Sequence, residues 1–333
     1  MSCQDVIIVG AGPAGMAAAI AAGRRQLDYV VLEKGALVNT IFHFPTHMVF
    51  FTTSELLEIG GLPFVTPFDK PTRLEALRYY RRVADAEHLR IETNVNVCAV
   101  GRDKQTRTFA VEAEADGLRS VRQARAVVMA IGYYDHPNLL GIPGEGLPHV
   151  SHYYREAHPF YRKHVVVVGG ANSAAEAALE LYRAGAKVTI VHRGAAFSTS
   201  IKYWVLPDLE NRIKEGSIAA RMETRAVEVR PGCVVVSRDD EQEQLPADHV
   251  FLLTGYHADV DLLRRSGVDF DARTCMPACD PETFETTVPN LFLAGGVISG
   301  KNKAPVFIEN GRFHGEKAIA VIAGRLGKVS GSP

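Results

Sequence analysis

The sequence has few cysteines, and no two of them are spaced as CxxC, the motif of disulfide exchange. Their odd number and scattered positions favour free thiols in a reducing cytoplasm over a disulfide framework. The nearest pair forms a CxxxC in a proline-rich stretch, where we expect ordinary loop or core residues. The five cysteines are Cys3, Cys98, Cys233, Cys275 and Cys279.

An excess of charge is also missing. The 37 lysines and arginines nearly balance 38 acidic residues, so the net charge of −1 gives no electrostatic argument for nucleic acid or membrane. Apolar runs are far shorter than the ~20 residues of a membrane span, and no signal peptide is recognisable. The histidines of 149–158 lack partners at metal-ligand spacing. We expect a soluble cytoplasmic protein without a metal.

Glycine is placed informatively near the N-terminus. Residues 6–35, VIIVGAGPAGMAAAIAAGRRQLDYVVLEKG, predict a strand, a glycine-rich turn, a helix and a second strand. In such a unit the first glycine permits the turn, the second admits a pyrophosphate, and the third lets the helix pack on the strand. The pyrophosphate would lie at the helix N-terminus. The candidate cofactor-binding residues of this turn are Gly10, Gly12, Pro13, Ala14 and Gly15.

The same unit occurs a second time. Residues 165–194, VVVVGGANSAAEAALELYRAGAKVTIVHRG, align with 6–35 without a gap. The first glycine is retained as Gly169, whereas Ala171 and Ala174 replace the second and third. The repeat predicts an α/β protein with two Rossmann-like dinucleotide-binding domains, the second inserted in the first.

The two units differ in charge at the tip of their second strand. Glu33 and Lys34 in the first correspond to His192 and Arg193 in the second. A carboxylate accepts hydrogen bonds from ribose hydroxyls and repels a 2′-phosphate, whereas a guanidinium can bind that phosphate with two hydrogen bonds. The first unit therefore predicts FAD and the second NADPH. The alternative for Arg193 is a solvated surface arginine.

These positions predict a discontinuous domain organisation. We expect an FAD-binding domain of residues 1–148 and 258–333 and an NADPH-binding domain of residues 149–257. The proline- and glycine-rich stretch 133–148 predicts the linker between them, and the chain should cross back near Gly255.

Between the two units the pattern predicts one helix and three strands. The helix covers 72–88, with Leu74, Leu77, Val83 and Ala84 on its apolar face. The strands cover 95–100, 108–113 and 126–131, with a turn at 116–122.

Further candidate contacts to the flavin come from separate segments. The long stretch 39–60 has no clear period, which is typical of functional connections. Residues 307–315 predict the opening of a last helix that extends to Arg325, and its N-terminus would stabilise negative charge on a reduced flavin. For Val97 core packing is an equal alternative, and for His47 an ordinary loop histidine. The candidates are Thr46, His47, Val97, Ala130, Gly132, Tyr133, Gly295, Phe307 and Ile308.

Five stretches carry a resemblance that covers nearly the whole chain. They are PTHMVFFTTSELLEIG (45–60), AIGYYDHPN (130–138), HYYREAHPF (152–160), SIKYW (200–204) and FIENGRFHG (307–315). The chain resembles the low-molecular-weight thioredoxin reductases and, more closely, the YpdA-type family of bacillithiol disulfide reductases. The resemblance implies FAD at the first unit, NADPH at the second, and a homo-oligomer. The implied NADPH contacts are Gly169, Gly170, Asn172, Ser173 and Arg193, with Lys202 as a further phosphate contact; the aligned Ala174 and His192 and the crossing residue Gly255 complete the candidates.

The chain departs from these families at three places. Thioredoxin reductases carry a CxxC pair just ahead of the second unit, and the corresponding residues 150–160 contain no cysteine. The YpdA-type motif GGGPCG has a cysteine where this chain has Ala14. Because thiol–disulfide exchange requires a thiolate, the expected attacking residue is missing. The aspartate of the usual AGD flavin motif is replaced by Gly296.

The leading interpretation is an FAD-dependent NADPH oxidoreductase with no assigned catalytic residue. The resemblance implies a low-molecular-weight disulfide, such as bacillithiol disulfide, as the acceptor. One alternative is a ferredoxin or flavodoxin NADP reductase with a redox-protein acceptor, to which the basic Arg78, Arg81 and Arg82 are a hint. A flavin monooxygenase, suggested by the position of His152, and a redox-sensing flavoprotein without turnover are the others.

Overall fold

The computed structural model describes residues 3–300 and 306–328. The chain forms two compact units, of which unit 1 comprises residues 1–136 and 256–333 and unit 2 comprises residues 137–255. Unit 2 is thus inserted in unit 1, which confirms the predicted fold class. Among the described residues, no helix has the length and apolar character to cross a membrane.

The first segment of unit 1 begins with the predicted strand–helix–strand unit and continues through the meander. Its elements are β1 (Cys3–Val9), α1 (Pro13–Arg24), β2 (Tyr29–Leu32), α2 (Asn39–His43), α3 (Arg73–Ala86), β3 (Ile91–Glu92), β4 (Asn96–Arg102), β5 (Phe109–Ala115), β6 (Leu118–Met129) and β7 (His136–Pro137). A 3-10 turn spans Ser54–Leu57.

Unit 2 contains the second strand–helix–strand unit. Its elements are β8 (Val150–Ser151), β9 (His164–Val168), α4 (Asn172–Arg183), β10 (Lys187–Val191), α5 (Leu206–Lys214), β11 (Ala219–Arg221), β12 (Arg225–Arg230), β13 (Cys233–Arg238), β14 (Glu241–Pro246) and β15 (His249–Leu252). The chain then returns to unit 1 with β16 (Tyr256–His257), α6 (Val260–Arg265), β17 (Leu291–Leu293) and α7 (Ile308–Arg325).

The sheet of unit 1 has the strand order β3-β2-β1-β6-β5-β4, and β17 also pairs with β6. Strands β1, β2, β3, β6 and β17 are parallel, whereas β4, β5 and β6 form an antiparallel meander. Helices α1 and α7 cover one face of the parallel part, where Val6 and Ile8 are buried. Ile7 and Val9 are buried on the other face. Burial on both faces explains the unbroken apolar run of β1.

Unit 2 is a parallel sheet of order β11-β10-β9-β15-β8 with a separate antiparallel sheet of β12, β13 and β14. Helix α4 packs on one face, and the antiparallel sheet packs on the other. Residues 137–148 belong to this unit because Ile142 and Leu147 pack on its core and Val229 N donates to Pro143 O. Unit 2 therefore begins at Pro137, within the stretch 133–148 interpreted as the linker.

Two local predictions differ from the structure. Strand β6 begins at Leu118, in the stretch interpreted as a turn, because its first half is polar and exposed while it pairs with β5. In α3 the buried residues are Ala76, Tyr79, Tyr80 and Val83, and Leu74 is 49% exposed. The tyrosines turn inward because their hydroxyl groups find backbone partners, such as Leu57 O at 2.9 Å from Tyr80.

Candidate cofactor sites

The parallel strands of unit 1 end at a common edge. Val9 lies in register with both Leu32 and Met129, and Leu293 lies in register with Met129. The residues that follow these four strands are therefore neighbours. Ligands of open α/β sheets bind at this carboxyl edge. The candidates brought to it are the turn 10–15, Glu33, Ala130, Gly132 and Gly295.

Each glycine of the first turn has a distinct geometric reason. Gly10 has φ +102°, and a Cβ there would lie 2.5 Å from Ala130 O. A Cβ on Gly15 would lie 1.9 Å from Gly10 O, so α1 approaches the turn as closely as only glycine allows. At Gly12 a Cβ would meet nothing within 4 Å. The space beside Gly12, at the N-terminus of α1, is therefore open enough to admit a pyrophosphate.

Glu33 is buried and stabilises this turn. Its carboxylate accepts hydrogen bonds from Ala11 N at 2.7 Å and Gly35 N at 2.9 Å. Burial raises the pKa of Glu33, although both backbone hydrogen bonds act in the opposite direction. Lys34 forms an ion pair of 2.9 Å with Asp135, a partner that the sequence did not indicate.

Helix α7 reaches the same edge through small residues. A Cβ on Gly315 would lie 2.7 Å from Ala14 O, and a Cβ on Gly295 would lie 2.7 Å from Ala14 Cβ. The Ala14 side chain thus faces Gly295. Gly295 N donates to His314 Nδ1 at 3.3 Å, and the His314 ring stacks on Phe284 at 4.0 Å. Burial lowers the pKa of His314 to about 4, so the ring is a neutral acceptor at neutral pH.

Tyr133 fills the space beside Gly296. A Cβ on Gly296 would lie 2.7 Å from Tyr133 Cδ1, so the tyrosine ring and a side chain at 296 exclude one another. Burial raises the pKa of Tyr133, and the carboxylate of Glu309 adds to this effect. The phenol therefore stays protonated at neutral pH. Gly132 has φ +65°, and a Cβ there would meet nothing within 4 Å.

The remaining unit 1 candidates lie at the margins of this edge. Thr46 and His47 are exposed, and within the described residues neither donates to nor accepts from the turn 10–15. Phe307 immediately precedes α7, contacts Phe51 edge-on at 5.4 Å, and leaves Ile308 as the first helical residue. Val97 is buried in the core on β4, just after Val95, whose N donates to Glu33 O.

The parallel sheet of unit 2 has a similar carboxyl edge, but the side chains there are different. Val168 lies in register with Val191 and Leu252, so Gly169, His192 and Leu253 follow aligned strand ends. A Cβ on Gly170 would lie 2.2 Å from the His192 ring, which therefore covers this glycine. Burial lowers the pKa of His192. Ala174 is buried in the first turn of α4, and Ser173 is exposed at the helix N-terminus.

The basic candidates of unit 2 are not equivalent. Arg193 is exposed, and within the described residues it has no ion-pair partner. Lys202 Nζ lies 2.6 Å from Glu176 Oε1, so its charge is already compensated. The Asn172 side chain links α4 to the following loop through Ser200 O and Lys202 N. Gly255 has φ +91°, and its carbonyl accepts from Asn138 N.

The described residues fit an FAD in unit 1, because the open space at Gly12, the α1 N-terminus and the Glu33 carboxylate occur at one edge.

Among residues 3–300 and 306–328, no three His, Cys, Asp or Glu side chains lie together as a metal site would require. All five cysteines are free, and Cys3 begins β1 at the opposite end from the turn. The sequence did not indicate His314 or Glu309; a histidine and an acid in the motif 307–315 were the available signal.

Similarity to known proteins indicates the family of the chain. The family model described as pyridine nucleotide-disulphide oxidoreductase matches residues 7–295. The chain is 44% identical to bacilliredoxin reductase Bdr of Bacillus subtilis over 97% of this chain and 98% of that protein. Ferredoxin–NADP reductase of Thermus thermophilus is 26% identical over 95% of this chain and 90% of that protein.

Among solved structures, bacillithiol disulfide reductase Bdr (YpdA) from Bacillus cereus superposes with a TM-score of 0.95 at 41% identity, covering 97% of this chain and all of that one. The Lactococcus lactis thioredoxin reductase shares the fold, with a TM-score of 0.78 at 20% identity and coverage of 98% and 100%. The chain therefore belongs to the pyridine nucleotide-disulphide oxidoreductases, in the group of the Bdr (YpdA) proteins, and is an oxidoreductase that uses FAD and NAD(P)H.

Proposed function

We propose that this protein uses NADPH to reduce a low-molecular-weight disulfide, with bacillithiol disulfide as the acceptor. The observation that carries the proposal is the 41% sequence identity, over nearly the full length, to a Bacillus cereus protein named bacillithiol disulfide reductase. Each turnover would consume one NADPH, one proton and one disulfide and would yield NADP+ and two thiols.

The preference for NADPH rests on Arg193. Its guanidinium is exposed at the strand tip where a 2′-phosphate would lie, next to the glycine covered by His192. A guanidinium can bind a phosphate with two hydrogen bonds. Lys202 contributes less in this proposal, because Glu176 already compensates its charge.

FAD, when bound, supplies the two-electron relay between nicotinamide and disulfide. The proposed roles of the protein are to bind and orient it. The α1 N-terminus would bind the pyrophosphate, Glu33 would accept hydrogen bonds from the ribose, and the α7 N-terminus would stabilise negative charge on the flavin ring. Tyr133 holds its phenolic proton at neutral pH and so can donate a hydrogen bond into the same site.

Position 14 decides how the acceptor is reduced. With Ala14 there, the first turn supplies no thiolate, and the described cysteines lie on other elements. The disulfide would then receive electrons without a protein thiol at this turn, or a thiol of another molecule would attack it. Because the Ala14 side chain faces Gly295, a cysteine introduced there would point toward the start of α7.

The test is anaerobic NADPH oxidation with oxidised bacillithiol, on the native protein and on Ala14→Cys. We expect the native protein to support turnover and the variant to accelerate it. If both variants reduce artificial dyes but neither consumes NADPH with the disulfide, the acceptor assignment fails while the oxidoreductase assignment stands.

A redox protein is the second candidate acceptor. The Bacillus subtilis relative is named for a bacilliredoxin, and Arg78, Arg81 and Arg82 lie exposed at i, i+3 and i+4 on α3. A protein acceptor bound there would show a rate that falls steeply with salt. A small disulfide would show little salt dependence.

We further propose a cytoplasmic homo-oligomer. The five free cysteines support a reducing compartment. Light scattering of the purified holoenzyme would measure the oligomeric state, and a monomer at micromolar concentration would overturn this part.

A further inference from the structure

A cavity of about 330 Å³ opens in unit 1 at the sheet edge opposite the nucleotide turn. It is bounded by the turn between β4 and β5, by the middle of β6, and by the last turn of α7. Arg125 in its wall precedes Ala130 by five residues of β6, which corresponds to roughly 16 Å along the strand. The cavity is therefore separate from the candidate FAD site.

The cavity is lined by cations without an acid. Arg107, Arg125 and Arg325 are in its wall, and none of the lining residues is aspartate or glutamate. Arg325 is held rigidly by Glu285, with Nη–Oε distances of 2.5 and 2.8 Å, and by the side chain of Asn290 at 2.7 Å. It is thus oriented and its charge is mostly compensated.

The other two guanidinium groups are less fully compensated. Arg125 lies 3.5 Å from Asp5 Oδ1, but Asp5 also binds Lys328 Nζ at 2.6 Å and Asp28 N at 2.9 Å. One carboxylate thus serves two cations. Arg107 is exposed, and within the described residues it has no ion-pair partner.

Size and hydrogen-bonding groups define the class of ligand. The volume corresponds to about ten water molecules, enough for a small organic acid or phosphate ester and too small for a dinucleotide. Thr106 and Thr108, whose hydroxyl oxygens are 2.8 Å apart, add neutral groups beside the arginines. Because the cavity opens to solvent and carries arginine and threonine groups in its wall, it is not a dry packing void.

We propose that this cavity binds a small polyanion, either an organic phosphate or a di- or tricarboxylate, through Arg107 and Arg125, with Arg325 as an oriented third cation. This site is independent of the proposed disulfide acceptor. Guanidinium groups suit both anions because each presents paired donors to two oxygens.

The test is calorimetric titration of the FAD-loaded protein, saturated with NADP+, with inorganic phosphate and with citrate at constant ionic strength in chloride. We expect one site for at least one probe. In Arg107→Gln/Arg125→Gln the affinity should fall at least tenfold, and in Arg125→Lys it should fall less. The matched control is Arg119→Gln, on the same strand but outside the cavity, which should bind as the native protein does.

Retained flavin absorbance shows that each variant is folded. Tighter citrate binding identifies the carboxylate class, and tighter phosphate binding identifies the phosphate class. Equal affinity in native protein and double variant would overturn the proposal, as would the absence of binding above the chloride background for both probes.

Discussion

The two strand–helix–strand units share their backbone course but differ in how tightly the turn closes. In the first unit Gly10 has φ +102°, and Gly15 must lack a side chain because Gly10 O lies where its Cβ would be. In the second unit Gly169 has φ +156°, and the buried methyl group of Ala174 is accommodated. The glycine pattern thus indicates how closely the helix approaches the turn. The strand–helix–strand fold still forms in the second unit, where the helix leaves room for a methyl group.

The residues at the tip of the second strand differ between the units in burial and charge. The buried Glu33 is tied to its own turn by two backbone hydrogen bonds. In the second unit His192 covers Gly170, and Arg193 extends into solvent. One tip is pre-formed around a carboxylate, whereas the other presents an uncompensated cation. In the proposed assignment, ligand preference therefore resides in two or three residues on a shared scaffold.

The largest effect should come from exchanging the third residue of the motif between the units. Gly15→Ala places a Cβ 1.9 Å from Gly10 O, and the turn must move because no flexible side chain can yield. We expect the affinity for FAD to fall at least 100-fold, so that the purified protein loses its flavin. The melting temperature should also fall clearly. Absorbance of the purified protein and thermal unfolding measure both.

The matched change is Ala174→Gly. It removes one buried methyl group and adds the helix cost of glycine, together about 1–2 kcal/mol. Flavin content should be unchanged. Equal flavin loss in both variants would show that the two turns are not distinguished by geometry as described.

The second effect concerns the exposed tip. Arg193→Glu should lower kcat/KM for NADPH about 100-fold, through loss of a charge-assisted contact and added repulsion of the 2′-phosphate. The value for NADH should change less than about threefold. Arg183→Ala is the control, because that arginine ends α4 far from its N-terminus. If NADH is the better donor for the native protein, the assignment of the second site to NADPH is wrong.

Much of this comparison was accessible from sequence because it depends on local spacing. The gapless alignment places the glycines and the strand tips, and parallel register brings the tips to one edge. The position of His314 was not accessible, since its bond to Gly295 joins residues whose proximity depends on how α7 packs on α1.

Two local predictions, for β6 and for α3, were wrong for the same reason: they depend on tertiary contacts. The polar half of β6 has no apolar alternation, because only its pairing with β5 keeps it extended. On α3 the side chains of Tyr79 and Tyr80 are buried in place of Leu74, because their hydroxyl groups donate hydrogen bonds to carbonyl oxygens distant in sequence. Hydrophobic periodicity does not encode a tertiary hydrogen bond.

A smaller effect should follow at the buried tip. Glu33→Gln keeps the shape, but its amide NH2 must face either Ala11 N or Gly35 N, so one donor loses its acceptor. We expect FAD to dissociate about 3–10-fold more readily, measured by fluorescence of released flavin. Glu114→Gln, on the meander, should leave FAD release unchanged; parallel losses in both variants would contradict a specific role of the carboxylate.

The last prediction compares how the stability of the two units depends on pH. Burial lowers the pKa of His249 in unit 2 and of His314 in unit 1 to about 4, with His149 and Lys163 adding to the first and Lys317 to the second. Because the unfolded chain binds these protons near pH 6.5, folded stability is complete above that pH. It is lost progressively as the pH falls toward 4.

Replacing each histidine by phenylalanine should reduce the loss of stability between pH 7 and 5. The two replacements should differ in their effect on stability at pH 7. The His249 ring packs between Phe160 and Phe251, and its buried Nε2 has no partner among the described residues, so His249→Phe should preserve stability at pH 7. His314→Phe removes the acceptor of Gly295 N and should cost about 1–3 kcal/mol. Thermal unfolding at both pH values measures the slopes, and an unchanged slope in His249→Phe would contradict the assignment of a buried neutral ring.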